Sequence, residues 1–414
     1  MDVSAFSEDF PGELNSDQGY PTYQPEPLPP DFEYTSEIAQ KLADARGALG
    51  KLAGIGQTVE ESRMLLMDPF IRREAVYSSR IEGTFATVSA VYAHEAGEED
   101  AVEDSNRHEV AEVLNYVHAT EEGLSQIPEV NINHDLLQSL HNILMTDVRG
   151  GEKNPGEYRT DQRAIGSHNS QEPRFVPPAP HRVKYDMENL IEFINGEPTF
   201  DPLIDIALAH YQFETIHPFA DGNGRMGRLM ITLMIDKYNL LPVPFLYFSS
   251  YFNKYRREYV NKLFAVNARG EWNEWVLFFL DGVIDQSKEV FVRSKKLFEL
   301  RNKYRKRYQN RRSETLLSII YELFRKPIIT IPQAEGATDV GYQATKEAIY
   351  ELEEDGILNE ITGKERYRVY RAKEIMKIVE QPIEELVADV EEEFNKHEPT
   401  ESLDENQAEL EDFA

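Results

Sequence analysis

Cysteine is missing from all 414 residues, which excludes disulfides, thiolate nucleophiles and cysteine-bound zinc. Long apolar runs are missing too. No stretch approaches the roughly 18 residues that would span a bilayer, and the opening MDVSAFSEDF is acidic where a signal peptide would be basic. A cytoplasmic protein with no membrane contact is expected. Lys and Arg are absent from residues 1–33, which hold eight acids, and residues 380–414 hold fourteen acids against Lys396 alone. The two ends supply −8 and −13 of the net charge of −30, so the body carries only −9. Their charge and their prolines, as in YPTYQPEPLPP, predict disordered, solvated tails. A salt-adapted acidic surface is the other reading.

What is present reads mainly as helix, and the length allows two or three domains. Residues 34–66 and about 69–93 combine good helix formers with apolar residues at spacings of three and four. The acidic EAGEEDAVED loop follows, then a helix around 107–122 and another from Asn133, where NHDLLQSLHNILM begins on a capping residue. A Gly-rich break at 149–151 ends it. Residues 155–180 are rich in turn formers, with Ala164-Ile165 and Phe175-Val176 as short apolar pieces, and predict a hairpin or flap. Helical patterns resume at 184–195 and 203–216, the second apolar throughout and hence buried.

HPFADGNGRMGR, residues 217–228, lies between that helix and a second apolar helix beginning LMITLMIDKY. Pro218 prevents simple continuation, and Gly222 and Gly224 permit tight turns. The stretch is a loop feeding a helix N-terminus, where the N–H groups of Gly222, Asn223 and Gly224 can converge on an anion. Arg225 and Arg228, three apart, share a helix face and suit outer phosphate oxygens. Asp221 would repel a phosphate unless a cation lay between them. Mg2+ fits that place, because it accepts one carboxylate and otherwise prefers phosphate and water oxygens. His217 is the only group in the loop that can take a proton near neutral pH, and so is the candidate general base. Transfer of a phosphate-containing group to a hydroxyl is the chemistry these residues suit.

The stretch resembles, position for position, the signature loop of the Fic family, His-Pro-Phe-x-Asp/Glu-Gly-Asn-Gly-Arg-x-x-Arg. The resemblance implies a helical core and transfer of AMP from ATP to a Ser, Thr or Tyr hydroxyl of a target protein or of the chain itself, with pyrophosphate released. His217 would then deprotonate the hydroxyl and Asp221 would hold Mg2+. Gly222, Asn223 and Gly224 would form the anion cradle, Arg225 would hold phosphate oxygens, and Arg228 would fix the terminal phosphate. The full Gly-Asn-Gly-Arg-x-x-Arg form is similar to the adenylylating branch, not to the phosphorylating Doc-type branch with Lys after Asn.

GEYRTDQRAIG followed by RFVPPAP resembles the family's flap, which aligns a target segment by strand addition, with Ile165 and Gly166 at its tip. YFNKYRREYVNKLFAVNARGEW is similar to the segment that contacts the nucleoside, implying roles for Tyr259 and Asn267. Val260 departs from the family's Tyr pair there, which leaves the nucleotide donor open. YSSRIEGT, residues 77–84, resembles the inhibitory motif Ser/Thr-x-x-x-Glu-Gly/Asn. With Ser78, Glu82 and Gly83 in place, the resemblance implies that Glu82 pairs with Arg228 and keeps the enzyme off, as in members whose inhibitory helix precedes the core. A carboxylate there would take the guanidinium meant for the terminal phosphate and would repel that phosphate.

RSKKLFELRNKYRKRYQNRR, residues 293–312, reads as a basic amphipathic helix, either touching nucleic acid or pairing with acidic neighbours. Beyond it, helix, short strand and helix, helix, and a hairpin turning at Thr362-Gly363 give the order of a winged helix. Its DNA binding stays open, because Lys364, Arg366, Arg368 and Arg371 favour phosphates whereas Glu351, Glu353, Glu354 and Asp355 repel them. The expected organisation is a disordered tail (1–33), a helical region with the inhibitory helix (34–125), a Fic core (126–290), a connector helix (291–312), a winged helix (313–375) and an acidic tail, partly helical or disordered (376–414). A homodimer acting through the inhibitory helix is a further expectation. A DNA-binding regulator that uses the loop to sense nucleotide, and removal of AMP from modified targets, remain as alternatives.

Overall fold

The computed structural model describes residues 1–16, 19–57, 62–98, 104–166, 174–243, 246–309 and 314–386. Its first helices are α1 (Ser36–Gln57), α2 (Ser62–Ile81), α3 (Val88–Glu95), α4 (Asp104–Gln126), α5 (His134–Met145) and α6 (Val183–Asn195). They are followed by α7 (Pro202–Ile216), α8 (Asn223–Lys237), α9 (Ser249–Lys254), α10 (Arg256–Arg269) and α11 (Trp272–Tyr308). The mainly helical expectation holds. Among the described residues, no helix is long and apolar enough to cross a membrane.

Two central helices position the loop. Asp201 caps α7 by accepting the Leu203 N–H at 2.9 Å, Pro202 occupies the first turn, and all but Pro202 and Glu214 of its fifteen residues are buried. α8 packs beside it and buries Met226, Leu229, Met230, Leu233 and Met234. α4 and α5 close one side, with Asn133 capping α5 through the Leu136 N–H at 2.8 Å. On the other side, α11 runs from the core into the C-terminal part, with α1 lying along it. The expected connector is therefore no separate element. Residues 293–308 continue α11 because neither proline nor an unpacked glycine interrupts it, and Gly282 is pressed against Tyr251. Its cations pair with acids, as in Lys303 with Glu374 (3.0 Å) and Arg307 with Asp355 (2.6 Å).

The C-terminal part contains α12 (Glu314–Arg325), β3 (Ile328–Thr330), α13 (Ile331–Glu335), α14 (Tyr342–Glu354), β4 (Leu358–Glu360), β5 (Val369–Ala372), α15 (Lys373–Glu380) and α16 (Ile383–Leu386). Its sheet is antiparallel in the order β3-β5-β4, with Ile329 opposite Tyr370 and Asn359 opposite Arg371. The rest of the expected acidic tail, 387–414, lies outside the described residues.

One expectation is overturned at the N-terminus. Residues 1–33 include β1 (Glu13–Asn15) paired with β2 (Thr22–Gln24), and Tyr23 is buried. The Tyr23 ring lies 5.5 Å from that of Phe175, its N–H donates to the Val176 carbonyl at 2.9 Å, and Gln24 donates to Asp186 at 2.9 Å. Charge counting missed this because Phe6, Phe10 and Tyr23 supply enough aromatic surface to dock an otherwise acidic arm. Tyr23→Ala should lower stability by about 3 kcal/mol, within the range for emptying a buried aromatic site, measured by urea denaturation. An unchanged midpoint would mean that the arm does not pack in solution.

Candidate active site

His217 terminates α7 in the left-handed conformation, with φ 52° and ψ 60°, and its N–H still closes the helix onto the Phe213 carbonyl at 2.9 Å. Such a conformation is uncommon outside glycine, and the surroundings hold it. Arg159, at the base of the flap, donates to the carbonyls of His217 (2.7 Å), Ile216 (3.2 Å) and Pro178 (2.6 Å), and its own N–H bonds Pro218 at 2.9 Å. Burial, then the Arg159 guanidinium, push the His217 imidazole down to about 4. It is therefore neutral at pH 7 and able to accept a proton.

The loop is fastened from within by Asn223. Its side-chain oxygen accepts the Phe219 N–H at 2.8 Å and its amide donates to the Phe219 carbonyl at 2.9 Å. Phe219 stacks on His141 at 3.7 Å between centroids. His141 accepts the Gly156 N–H on Nδ1 (2.9 Å), so its Nε2–H donates to the Asp221 carbonyl (3.0 Å), and burial keeps the ring neutral with a value of about 4. Asn223 thus contributes a staple through its side chain, besides heading α8 beside Gly222 and Gly224.

Asp221 accepts the Gly222 N–H at 2.8 Å and pairs with Lys153 Nζ at 2.7 Å. Burial works against its charge, but Lys153 and the Gly222 N–H outweigh that and hold it below the ordinary carboxylate range. Gly150 (φ 86°) permits the approach, since a Cβ there would stand 2.6 Å from Asp221 Oδ2. Among the described residues no three His, Asp or Glu side chains converge as a metal site. One carboxylate beside an anion cradle nevertheless suits a cation that takes its other ligands from phosphates and water. Arg225 is buried, 3.6 Å from Glu112, and neither its Nε nor its Nη1 has a hydrogen-bond partner. A buried guanidinium at a helix start, short of hydrogen bonds although ion-paired through Nη1, is what an anion would satisfy.

Arg228 receives the end of α2 and the residue that follows it. Its Nε donates to Ser78 Oγ at 2.9 Å, and its Nη2 to the Ser78 carbonyl at 3.1 Å and to Glu82 Oε1 at 2.7 Å. Gly83, at φ 94°, makes the turn that ends α2 and delivers Glu82. Partial enclosure opposes the charge of Glu82, yet Arg228, with Arg225 and Arg256 farther away, holds the carboxyl below its ordinary range. Glu82 also lies directly over Gly224, where any Cβ would collide with Oε1. A carboxylate therefore stands at the glycine-lined start of α8, beside Arg228.

The other expected residues are placed differently. The Tyr259 hydroxyl bonds His210 Nε2 at 2.8 Å, and Asn267 Oδ1 accepts from Tyr211 (2.6 Å) and Thr215 (3.3 Å). Both are buried, and these bonds tie α10 to α7. Ile165 bridges to Phe175 through bonds of 2.8 and 3.2 Å, and Gly166 (φ 80°) follows it; the flap beyond, 167–173, lies outside the described residues. The expected helix over about 69–93 is two helices, because Gly83 and the Thr87 cap divide α2 from α3. Arg159, His141, Lys153 and Glu112 escaped the sequence reading, since each acts through a partner far along the chain. Glu214 escaped it as well. It sits three residues before His217, and burial raises it to about 7 against the pull of Arg228.

Residues 131–235 match the Fic/DOC family, and residues 39–125 match the Fic/DOC family N-terminal region. The protein adenylyltransferase fic-1 of Caenorhabditis elegans is 36% identical over 90 residues, 21% of this chain and 16% of that one. The protein adenylyltransferase Fic of Drosophila erecta is 34% identical over 132 residues, 31% of this chain and 24% of that one. The chain thus spans at most about a quarter of the length of these curated relatives. Its fold is similar to that of a Fic family protein from Desulfovibrio desulfuricans G20, with a TM-score of 0.53 at 21% identity over 83% of this chain and 98% of the other.

Two outcomes follow from this geometry. Asn223→Ala removes both ends of the staple and should cost about 2 kcal/mol, as two buried hydrogen bonds would; a urea midpoint equal to wild type would show that the loop holds without it. His141, His210 and His217 sit near 4, 3 and 4, below the ordinary 6.5, so the unfolded chain takes up protons first as the pH falls. Their contribution is complete above about 6.5 and is lost towards 4, so the thermal midpoint should decline through that window; a flat profile would show that these rings are solvated.

Proposed function

The chain belongs to the Fic/DOC family, and on that premise we propose that it is a protein adenylyltransferase held off by its own N-terminal helix. The observation that carries this reading is the 2.7 Å pair between Glu82 and Arg228 above Gly224. It puts an internal carboxylate where the terminal phosphate of ATP would go.

With Glu82 withdrawn, Arg228 and the start of α8 would receive the phosphates, and Arg225 would supply its Nε–H, which has no hydrogen-bond partner. The target hydroxyl would enter beside the flap, offered by a segment aligned along Ile165 and Gly166. Neutral His217 would take its proton as the hydroxyl oxygen bonds to the α-phosphorus, and the bond from that phosphorus to the pyrophosphate oxygen would break. Asp221 is the residue to hold Mg2+, released from Lys153 to do so; the ion's part is to neutralise charge on the phosphates. Arg159 acts at one remove, fixing His217 by its carbonyl and the flap by its own N–H.

A second reading has one observation in its favour. The Glu82 side chain is 37% exposed although it is bound to buried Arg228. It could therefore orient a water for removal of AMP from a modified target. Residues 313–375 are read as a winged helix, and DNA binding there has less support than the charge count suggested. Lys364 is paired with Glu98 and Arg371 with Glu380.

Incubation with labelled ATP and Mg2+, followed by mass spectrometry of the protein and of a cell lysate, tests the proposal. Glu82→Gly should raise AMP transfer about tenfold or more, equivalent to roughly 1.4 kcal/mol of lost inhibition, and His217→Ala should abolish it. Equal transfer by wild type and Glu82→Gly would sink the inhibitory part, and label retained after His217→Ala would sink the assignment of the base.

A further inference from the structure

The segment that carries Glu82 is gripped from two sides. The catalytic helices hold its middle. Glu74 accepts the Ser249 N–H at 3.0 Å, Ser78 and Glu82 meet Arg228, Thr84 donates to Glu112 at 2.8 Å, and the Phe85 N–H donates to Glu109 at 2.9 Å. α4 and α9 of the core also pack on α2, and the C-terminal part adds polar contacts at both flanks. Arg325 of α12 pairs with Asp68 of α2 at 3.1 Å, and Gln333 of α13 donates to the Glu95 carbonyl at the end of α3 at 2.8 Å. Glu380 of α15 accepts the Ser89 N–H of α3 at 2.8 Å, and Lys364 of the β4–β5 hairpin reaches both oxygens of Glu98 at 2.9 and 3.1 Å. α2 and α3 are in turn tied to each other by the two-pronged Arg72–Glu95 pair, at 2.8 and 2.7 Å.

The grip has a buried centre. Glu289 of α11 accepts from Arg73 of α2 and from Arg293 of α11, at 3.0 and 2.8 Å for the latter. Both arginines also donate into the end of α15, Arg73 to the Val379 carbonyl (3.4 Å) and Arg293 to the Gln381 carbonyl (2.8 Å). Through its two arginines, one carboxylate thereby joins the inhibitory helix, the long helix and the end of α15. Removing a partner from such a buried set leaves an uncompensated charge, so the set moves as a unit or not at all.

We propose that residues 314–386 have a function of their own, which is to hold α2 and α3, and through them Glu82, in the blocking position. This rests on the inhibitory reading above. It differs from ordinary domain packing in one respect. The contacts fall on both helices that flank the 82–87 connection, so shifting the C-terminal part displaces Glu82 from Arg228, whereas Arg225 and Arg228 bond to or pair with Met145 of α5, Glu112 of α4, Ser78 of α2 and Glu82. A partner that pulls on the C-terminal part would switch the enzyme on without entering the active site.

The test is AMP transfer by the full chain carrying Arg325→Glu with Lys364→Glu, alone and combined with Glu82→Gly. Both side chains are more than a third exposed, so their reversal spares the core; Lys364→Glu alone serves if the pair together unfolds the chain. Transfer should rise about three- to tenfold, as for a shift of a two-state equilibrium by one or two surface pairs. Arg325→Lys with Lys364→Arg should keep the wild-type rate, and in the Glu82→Gly background the reversals should add nothing. Reversals that leave transfer low while Glu82→Gly is active would overturn the proposal. So would reversals that raise both backgrounds by the same factor, because they would then act by a route other than Glu82. Glu82→Gly no more active than wild type would instead remove the inhibitory reading, and this inference with it.

Discussion

Arg228 is wholly enclosed, and its guanidinium bonds Ser78 and one external anion, now Glu82. Much of the molecule arranges that competition. Burial alone would weaken the arginine's charge, but the carboxylate of Glu82 more than restores it, so the arginine stays a cation in an enclosed site. A cation so enclosed cannot remain unpaired without a large penalty. The site is therefore stable with Glu82 in place and calls for a replacement anion whenever Glu82 leaves.

The remaining loop is preorganised, not assembled on demand. His217 is kept in a left-handed conformation by Arg159 and the helix bond to Phe213, and Asn223 fixes the turn from within. Charged groups that would otherwise repel the incoming phosphates already have cationic partners, Asp221 with Lys153 and Glu112 with Arg225. Lys153 stands where a divalent ion would be useful, so exchange of one cation for another accompanies nucleotide entry on the proposed function. Preorganised donors and a neutral base are the features that let electrostatics lower a barrier without rearrangement during the reaction.

The loop 217–228 and the 78–83 motif were legible because each is local, with residue types at fixed spacing. The helix boundary near 133 was legible because a capping residue, Asn133, and apolar periodicity coincide there, whereas those near 183 and 202 were legible from the helical pattern alone. Arg159, His141 and Lys153 were illegible, since nothing local distinguishes them from surface cations or a helical histidine; their contacts with the loop lie 58 to 80 residues away. The acidic N-terminal arm misled for a related reason. Net charge argued for disorder, while three aromatic residues decided the packing. Tyr259 and Asn267, expected from the family pattern, are buried and bonded to α7, contacts that the pattern itself does not reveal.

The claim at the centre is that Glu82 and the terminal phosphate compete for Arg228. Calorimetric affinities for ATP and for ADP, in wild type and in Glu82→Gly, test it most directly, because the ratio isolates the terminal phosphate. Wild type should bind the two about equally, and Glu82→Gly should prefer ATP about tenfold, roughly 1.4 kcal/mol for a charge-assisted contact regained. The same ATP-to-ADP ratio in both proteins would contradict the account.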